Sequence, residues 1–197
     1  MLLSDSLRSS KKLAGFVVFG NGSFDRKIIS SLCNRLNGDK NLVSPQIAGG
    51  KTGLTNALRT VRKIMDLVKI SETNYLIIID REHLTDLDEV PNQIRQFFNL
   101  QVESNMLPQY LKAKISAGTR EGLLHIIVMG AKKSIEENLS LLIEKIYGTK
   151  IIPNKKNLRA FLRTKKIKIH QLIEEASKEI LNIVFPYLMR VLENLDC

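Results

Sequence analysis

The chain has no tryptophan, two cysteines and three histidines in 197 residues. Cys33 and Cys197 supply no disulfide framework, and Cys33 falls on an apolar helix stripe that reads as core. A reducing, cytoplasmic setting is the default expectation. The histidines are scattered and there is no CxxC or HxxxH spacing, which argues against a structural zinc site. No apolar run approaches the ~18 residues of a membrane span, so no membrane partner is expected. Residues 1–12 lack the apolar core and small-residue cleavage site of a signal peptide. Acid is missing from one long stretch. Between Lys150 and Ile173 there are eight Lys or Arg and no Asp or Glu. Of 30 basic residues the other 22 nearly balance the 20 acids, so the net charge of +10 is almost wholly local. A concentrated cationic segment (Lys155, Lys156, Arg159, Arg163, Lys165, Lys166, Lys168) is the electrostatic footprint of a nucleic-acid partner, and its bland counterpart is a solvated basic helix.

What is present is an alternation of apolar patterns. Gly15–Phe19 reads as a buried strand and Asp25–Leu36 as a helix, with Ile28, Ile29, Leu32, Cys33 and Leu36 on one stripe. Asn41–Ile47 reads as a second strand, Gly49–Gly53 as a loop and Leu54–Val68 as a helix. Tyr75–Ile79 is an unbroken apolar run, the pattern of a parallel strand covered on both faces. A short helix from Pro91 follows. Leu111–Ser116 and Leu123–Met129 flank a glycine-bounded turn and read as a hairpin or as two separate strands. Ser134–Ile146 is a helix stopped by Gly148. The remainder is helical, although "KKIKIH" also alternates with a strand's period. The expected organisation is a loose tail over 1–12, an α/β domain over 13–149 and a basic helical segment over 150–197 packed on the same domain. Strand–helix alternation at this spacing points to a three-layer, Rossmann-like α/β fold with a mostly parallel sheet and C-terminal helices.

Ligands of such folds sit beyond the carboxyl ends of the strands. The residues there are Asn21 and Asp25; Gly49, Gly50 and Lys51; Asp80, Glu82 and His83; then Lys132, Lys133, Glu136 and Glu137. If the first and third strands are neighbours, Asp25, Asp80 and Glu82 converge. Converging carboxylates repel unless a cation neutralises them, and oxygen donors suit magnesium or manganese. Each acid also has a structural explanation. Asp25 favours the dipole of the helix it opens, and Glu137 completes a Ser134-x-x-Glu capping box. Glu136 is not needed for that cap. Asp80 is harder to explain structurally, because a carboxylate at the end of a buried strand carries a desolvation cost.

Two nucleotide motifs fail. "GNGSFD" has Asp25 where a dinucleotide loop has its third glycine. "PQIAGGKT" has Pro45 in place of the first glycine of a P-loop, and proline has no N–H to turn toward phosphate. NTP binding is therefore the lesser alternative, with Lys51 free to hold a phosphate of another ligand.

The strand-end residues resemble the Toprim domain, the metal-binding α/β module of topoisomerases, primases and OLD-family nucleases. The family has Glu-Gly-x-x-Asp after its first strand and Asp-x-Asp after a later one. Here the first reads Asn21-Gly22-Ser23-Phe24-Asp25 and the second Asp80-Arg81-Glu82. "HIIVMGAKKSIEENLSLLI" and "FPYLMRVLENL" resemble the family's fourth strand with its following helix, and its closing helix. The resemblance implies a Mg²⁺- or Mn²⁺-dependent site on Asp25, Asp80 and Glu82, with Glu136 as a further ligand. It implies cleavage of DNA or RNA, with Lys51 or a basic residue between Lys155 and Arg159 holding the scissile phosphate. Asn21 stands where the family uses glutamate as general acid–base or ligand, and an amide exchanges no proton near neutral pH. A metal-dependent nuclease and a non-catalytic Toprim-like nucleic-acid binder are thus both open, the latter with room for a protein partner or a homodimer.

Overall fold

The computed structural model describes residues 1–6, 11–20, 23–36, 39–45, 53–68, 70, 72–84, 88–102 and 107–195. Its centre is a seven-stranded sheet built from β1 (Leu2–Ser4), β2 (Lys12–Phe19), β3 (Lys40–Val43), β4 (Thr73–Asp80), β5 (Asn99–Val102), β6 (Tyr110–Ala117) and β7 (Arg120–Met129), in the order β1-β3-β2-β4-β7-β6-β5. The first five strands of that order run parallel, and β6 pairs antiparallel with both β7 and β5. The helices are α1 (Ser23–Arg35), α2 (Leu54–Leu67), α3 (Val90–Arg95), α4 (Ile135–Tyr147), α5 (Lys155–Lys165), α6 (Ile169–Glu175), α7 (Lys178–Val184) and α8 (Pro186–Glu193). Among the described residues no helix is long and apolar enough to cross a membrane.

The unbroken run of β4 is explained by what covers it. Leu76 and Ile78 face a core shared with α1, α4 and the helices from α5 onward, including Leu158, Leu172, Leu181 and Leu188. Tyr75, Ile77 and Ile79 face the other way, onto Leu58, Val61 and Met65 of α2 and Ile94 of α3. Successive side chains of a strand point to opposite faces, so a central strand between two helical layers must be apolar throughout. The result is a mixed α/β domain with a largely parallel sheet and C-terminal helices.

Several elements differ from the sequence expectation. Leu2–Ser4, assigned to a loose tail, pairs in parallel with β3, and Met1 and Leu3 are buried. β2 begins three residues earlier than Gly15. β5 was not expected; it is a four-residue edge strand on β6. The two glycine-flanked segments form one hairpin, β6–β7, with Ala117 opposite Arg120 and Gly118 at φ +64° in the turn. "KKIKIH" is no strand. Lys166 ends α5 in the left-handed conformation and Ile169 opens α6, because Leu172 and Ile173 are buried at helical spacing.

The strand order also locates the switch point. From β2 the chain passes through α1 to β3 on one side, then returns through α2 to β4 on the other. The carboxyl ends of β2 and β4 therefore diverge in their connections, which opens a crevice. Register aligns these ends: Phe19 lies beside Ile78, and Asp80 beside Met129. Gly130 then turns the chain toward α4 at φ +78°, and a Cβ there would sit 2.4 Å from the Ser134 carbonyl oxygen. Gly130→Ala is expected to cost about 2–3 kcal/mol, from the left-handed backbone and the clash together. Urea unfolding with an unchanged m-value checks it.

Candidate functional site

Four carboxylates come together at this edge. Asp25 is in the first turn of α1 and is 3% exposed; Asp80 ends β4 at 6%; Glu136 is the second residue of α4 at 4%. Glu82, in the 3₁₀ turn Arg81–His83, is 41% exposed at its side chain. The Ile135 N–H donates to Asp80 Oδ1 at 2.8 Å, so Asp80 satisfies one of the open donors at the start of α4. Burial pushes the Asp80 carboxyl up to about 7, and the Asp25 carboxylate adds to the rise. The Ile135 N–H pulls in the other direction, while Glu136 and Glu82 contribute smaller increments upward. The mutual field marks these acids as one cluster, and Asp80 as a group that exchanges its proton near neutral pH.

Glu136 is held differently. The Ser134 hydroxyl donates to its Oε2 at 2.5 Å. Its Oε1 makes no hydrogen bond among the described residues, and Lys155 Nζ lies 3.8 Å away. That lysine is the first residue of α5, whose start is fixed by Asn154 accepting from the Asn157 N–H at 2.8 Å. The basic segment thus begins at the acidic cluster.

The expected capping box at α4 does not form. Ser134 makes no side-chain cap; its hydroxyl goes to Glu136 instead. Glu137 Oε2 accepts from the Ala131 and Lys132 N–H groups at 2.7 and 2.9 Å, bracing the loop that precedes the helix. Asn138 Oδ1 accepts from the Gly130 N–H at 2.8 Å, and the Glu82 N–H donates to the Lys133 carbonyl at 2.8 Å. Lys133 Nζ is 3.9 Å from Glu82 Oε2. The loop that carries Glu136 is therefore tied both to its own helix and to the turn after β4.

Of the sequence-derived site residues, Asp25, Asp80, Glu82 and Glu136 are brought together. Asn21 and Lys51 lie outside the described residues, as does most of the glycine-rich loop. Among the cationic residues, Lys156, Arg159, Arg163, Lys166 and Lys168 are exposed. Lys165 has its ammonium 4.9 Å from the centre of the Tyr147 ring, which gives it a structural task. The Lys155–Glu136 approach had no signal in spacing; its one legible trace is Asn154 as a helix N-cap.

Oxygen donors of this kind suit a hard cation, and the buried Glu136 Oε1 makes no hydrogen bond among the described residues. The carboxylates do not present a ready cage: among the described residues no group of three or more His, Cys, Asp or Glu side chains is set out to hold a metal ion. A cavity of about 660 Å³ lies elsewhere, near the amino ends of the parallel strands, lined by Met1, Arg35, Lys40, Lys178 and Glu193 among others. His125 is also remote from the cluster. Its Nδ1 is 2.9 Å from the Tyr110 hydroxyl, and burial, with Lys112 adding to it, lowers its pKa to about 4. Compared with protein-family models, with curated proteins and with solved structures, the chain shows no match.

Proposed function

We propose that this chain is a Toprim-like protein that binds nucleic acid along α5 and carries the carboxylate set of metal-dependent phosphodiester chemistry. The observation that carries the proposal is the convergence of Asp25, Glu82 and Glu136 on a buried Asp80, with the first lysine of a basic helix beside Glu136. Mg²⁺ or Mn²⁺ is the proposed cofactor, held by Asp25, Asp80, Glu82 and Glu136. Such an ion, when bound, polarises a phosphate and lowers the pKa of water. The chain's own residues do the rest. Asp80, oriented by the Ile135 N–H, exchanges its proton near 7 in the metal-free chain and would give that proton up to serve as a ligand. The exposed Lys156, Arg159 and Arg163 hold the phosphate backbone without reading bases.

Asn21 favours a second form of the proposal, a protein that binds nucleic acid without cutting it, because its amide supplies no proton-transfer group where the Toprim pattern has glutamate. Incubation with single- and double-stranded DNA and RNA, in Mg²⁺ or Mn²⁺, separates the two. The nuclease form expects cleavage by the parent chain or by Asn21→Glu, lost in Asp80→Asn, whose amide oxygen still accepts from Ile135. Salt-sensitive binding with no cleavage by either protein selects the binding form.

A further inference from the structure

Lys155, the first residue of the basic helix α5, approaches a buried carboxylate. Its Nζ is 3.8 Å from Glu136 Oε1, beyond hydrogen-bond distance, while its side chain remains 66% exposed. Glu136 is buried, its second oxygen is satisfied by Ser134, and Oε1 has no hydrogen bond among the described residues. A buried carboxylate charge needs compensation, and Lys155 supplies it loosely, from a flexible stem rather than a fixed fork. On α5 the same lysine stands one helical turn from Arg159 and two from Arg163, both exposed. Residues four apart on a helix are surface neighbours, so a phosphate bound at Arg159 lies within reach of Lys155.

We propose that Lys155 is an exchangeable counter-ion: Glu136 holds it while the acidic cluster is unneutralised, and neutralising Glu136 releases it to a nucleic-acid phosphate. It is a positioning residue that couples the carboxylates to the polyanion track. By reciprocity, whatever neutralises Glu136 tightens nucleic-acid binding, and bound nucleic acid makes the cluster more receptive to a cation. The inference rests on the nucleic-acid half of the proposed function and is independent of cleavage.

The test uses the full chain in EDTA, with fluorescence anisotropy of a labelled DNA duplex over a salt series. Glu136→Gln should tighten binding severalfold and steepen the slope of log K against log salt by ~0.9, the signature of one added phosphate contact. In the Glu136→Gln/Lys155→Ala double variant that gain should vanish. A gain that survives in the double variant shows that Glu136 acts only by its own charge, and the inference falls. Two exposed substitutions, which leave the core untouched, give a second reading. In EDTA Lys155→Ala should cost less affinity than Lys156→Ala, because Lys155 is already engaged; equal losses overturn the coupling. If none of these proteins, nor the parent, binds the duplex with salt dependence, the nucleic-acid reading itself is wrong and the coupling goes with it. Binding that ignores Glu136 removes the coupling alone.

Discussion

Asp80→Asn, kept in EDTA, is expected to grow steadily more stable from about pH 4 to 6.5, where the parent chain stays nearly level. Two buried groups oppose each other in that window. Asp80 titrates at about 7 in the fold against an ordinary carboxyl value of 3.8, so above pH 4 the unfolded chain has lost a proton that the native state keeps. Stability contributed by the protonated form is present at low pH and drains away as pH rises toward 7. His125 does the reverse. Its pKa falls from 6.5 to about 4, so between those values the unfolded chain binds a proton that the native state refuses, and stability climbs with pH. Each contributes a slope of about 1.4 kcal/mol per pH unit, with opposite sign. Removing the Asp80 titration leaves the rise due to His125 exposed. At pH 8, where the parent must hold an ionised Asp80 among other carboxylates, Asp80→Asn should exceed it by roughly 2–4 kcal/mol, or roughly 5–15 °C in Tm. Below pH 4 the two proteins should converge. A parallel pair of pH profiles would show that Asp80 is not held near neutrality by its surroundings. His125→Gln should tilt the other way, losing stability from pH 4 to 7.

The second large effect is on binding. Lys156, Arg159 and Arg163 stand three and four residues apart on the exposed face of α5, a span of about 10 Å. Reversing all three to glutamate is expected to make the slope of log K against log salt shallower by about 2–3 on duplex DNA. Affinity at moderate salt should drop by roughly a hundredfold or more, equally for unrelated sequences, since these contacts carry no base information. Lys165 is the natural comparison. Its ammonium lies over the Tyr147 ring and within 6.0 Å of the Phe161 centroid, so Lys165→Ala should cost about 0.5–1 kcal/mol of stability with little change in affinity. If the triple variant binds as the parent does, α5 is a solvated face and the polyanion is not held along it.

The fold was legible where burial imposes a period. β4 reads as a two-faced strand because both neighbouring layers demand apolar side chains from it, and α2 and α4 read as helices because one stripe of each is covered. Short edge elements left little trace. Leu2–Ser4 and Asn99–Val102 are short edge strands beside β3 and β6, and three or four residues carry too little pattern to separate a strand from a loop. "KKIKIH" shows the converse, a period of two that packing overrides once Leu172 and Ile173 find the core.

The acidic cluster followed from a topological rule rather than from a motif. Asp25 and Asp80 meet because β2 and β4 are neighbours, the condition on which the sequence reading made their convergence depend. Glu137 did not follow. Ser134-x-x-Glu137 satisfies the capping-box pattern, yet the loop from Gly130 offers the Ala131 and Lys132 N–H groups to Glu137, and Ser134 turns to Glu136. Lys155 could not have been assigned to Glu136 from sequence, since their approach depends on how α5 is set against α4.

The segments that bear the carboxylates lie far apart along the chain: the start of α1, the end of β4 and the start of α4, with the lysine that answers them further on in α5. In an unfolded coil these charges are separated and screened by water and salt. Their repulsion is a conflict that belongs to the native state alone. It begins when β2 pairs with β4 and sets Asp25 against Asp80, and it grows when β7 docks on β4 and brings Glu136 alongside. Assembly of the parallel strands is therefore the stage at which the chain takes on the tension of its site, and a cation or a proton supplied then favours completion of the fold.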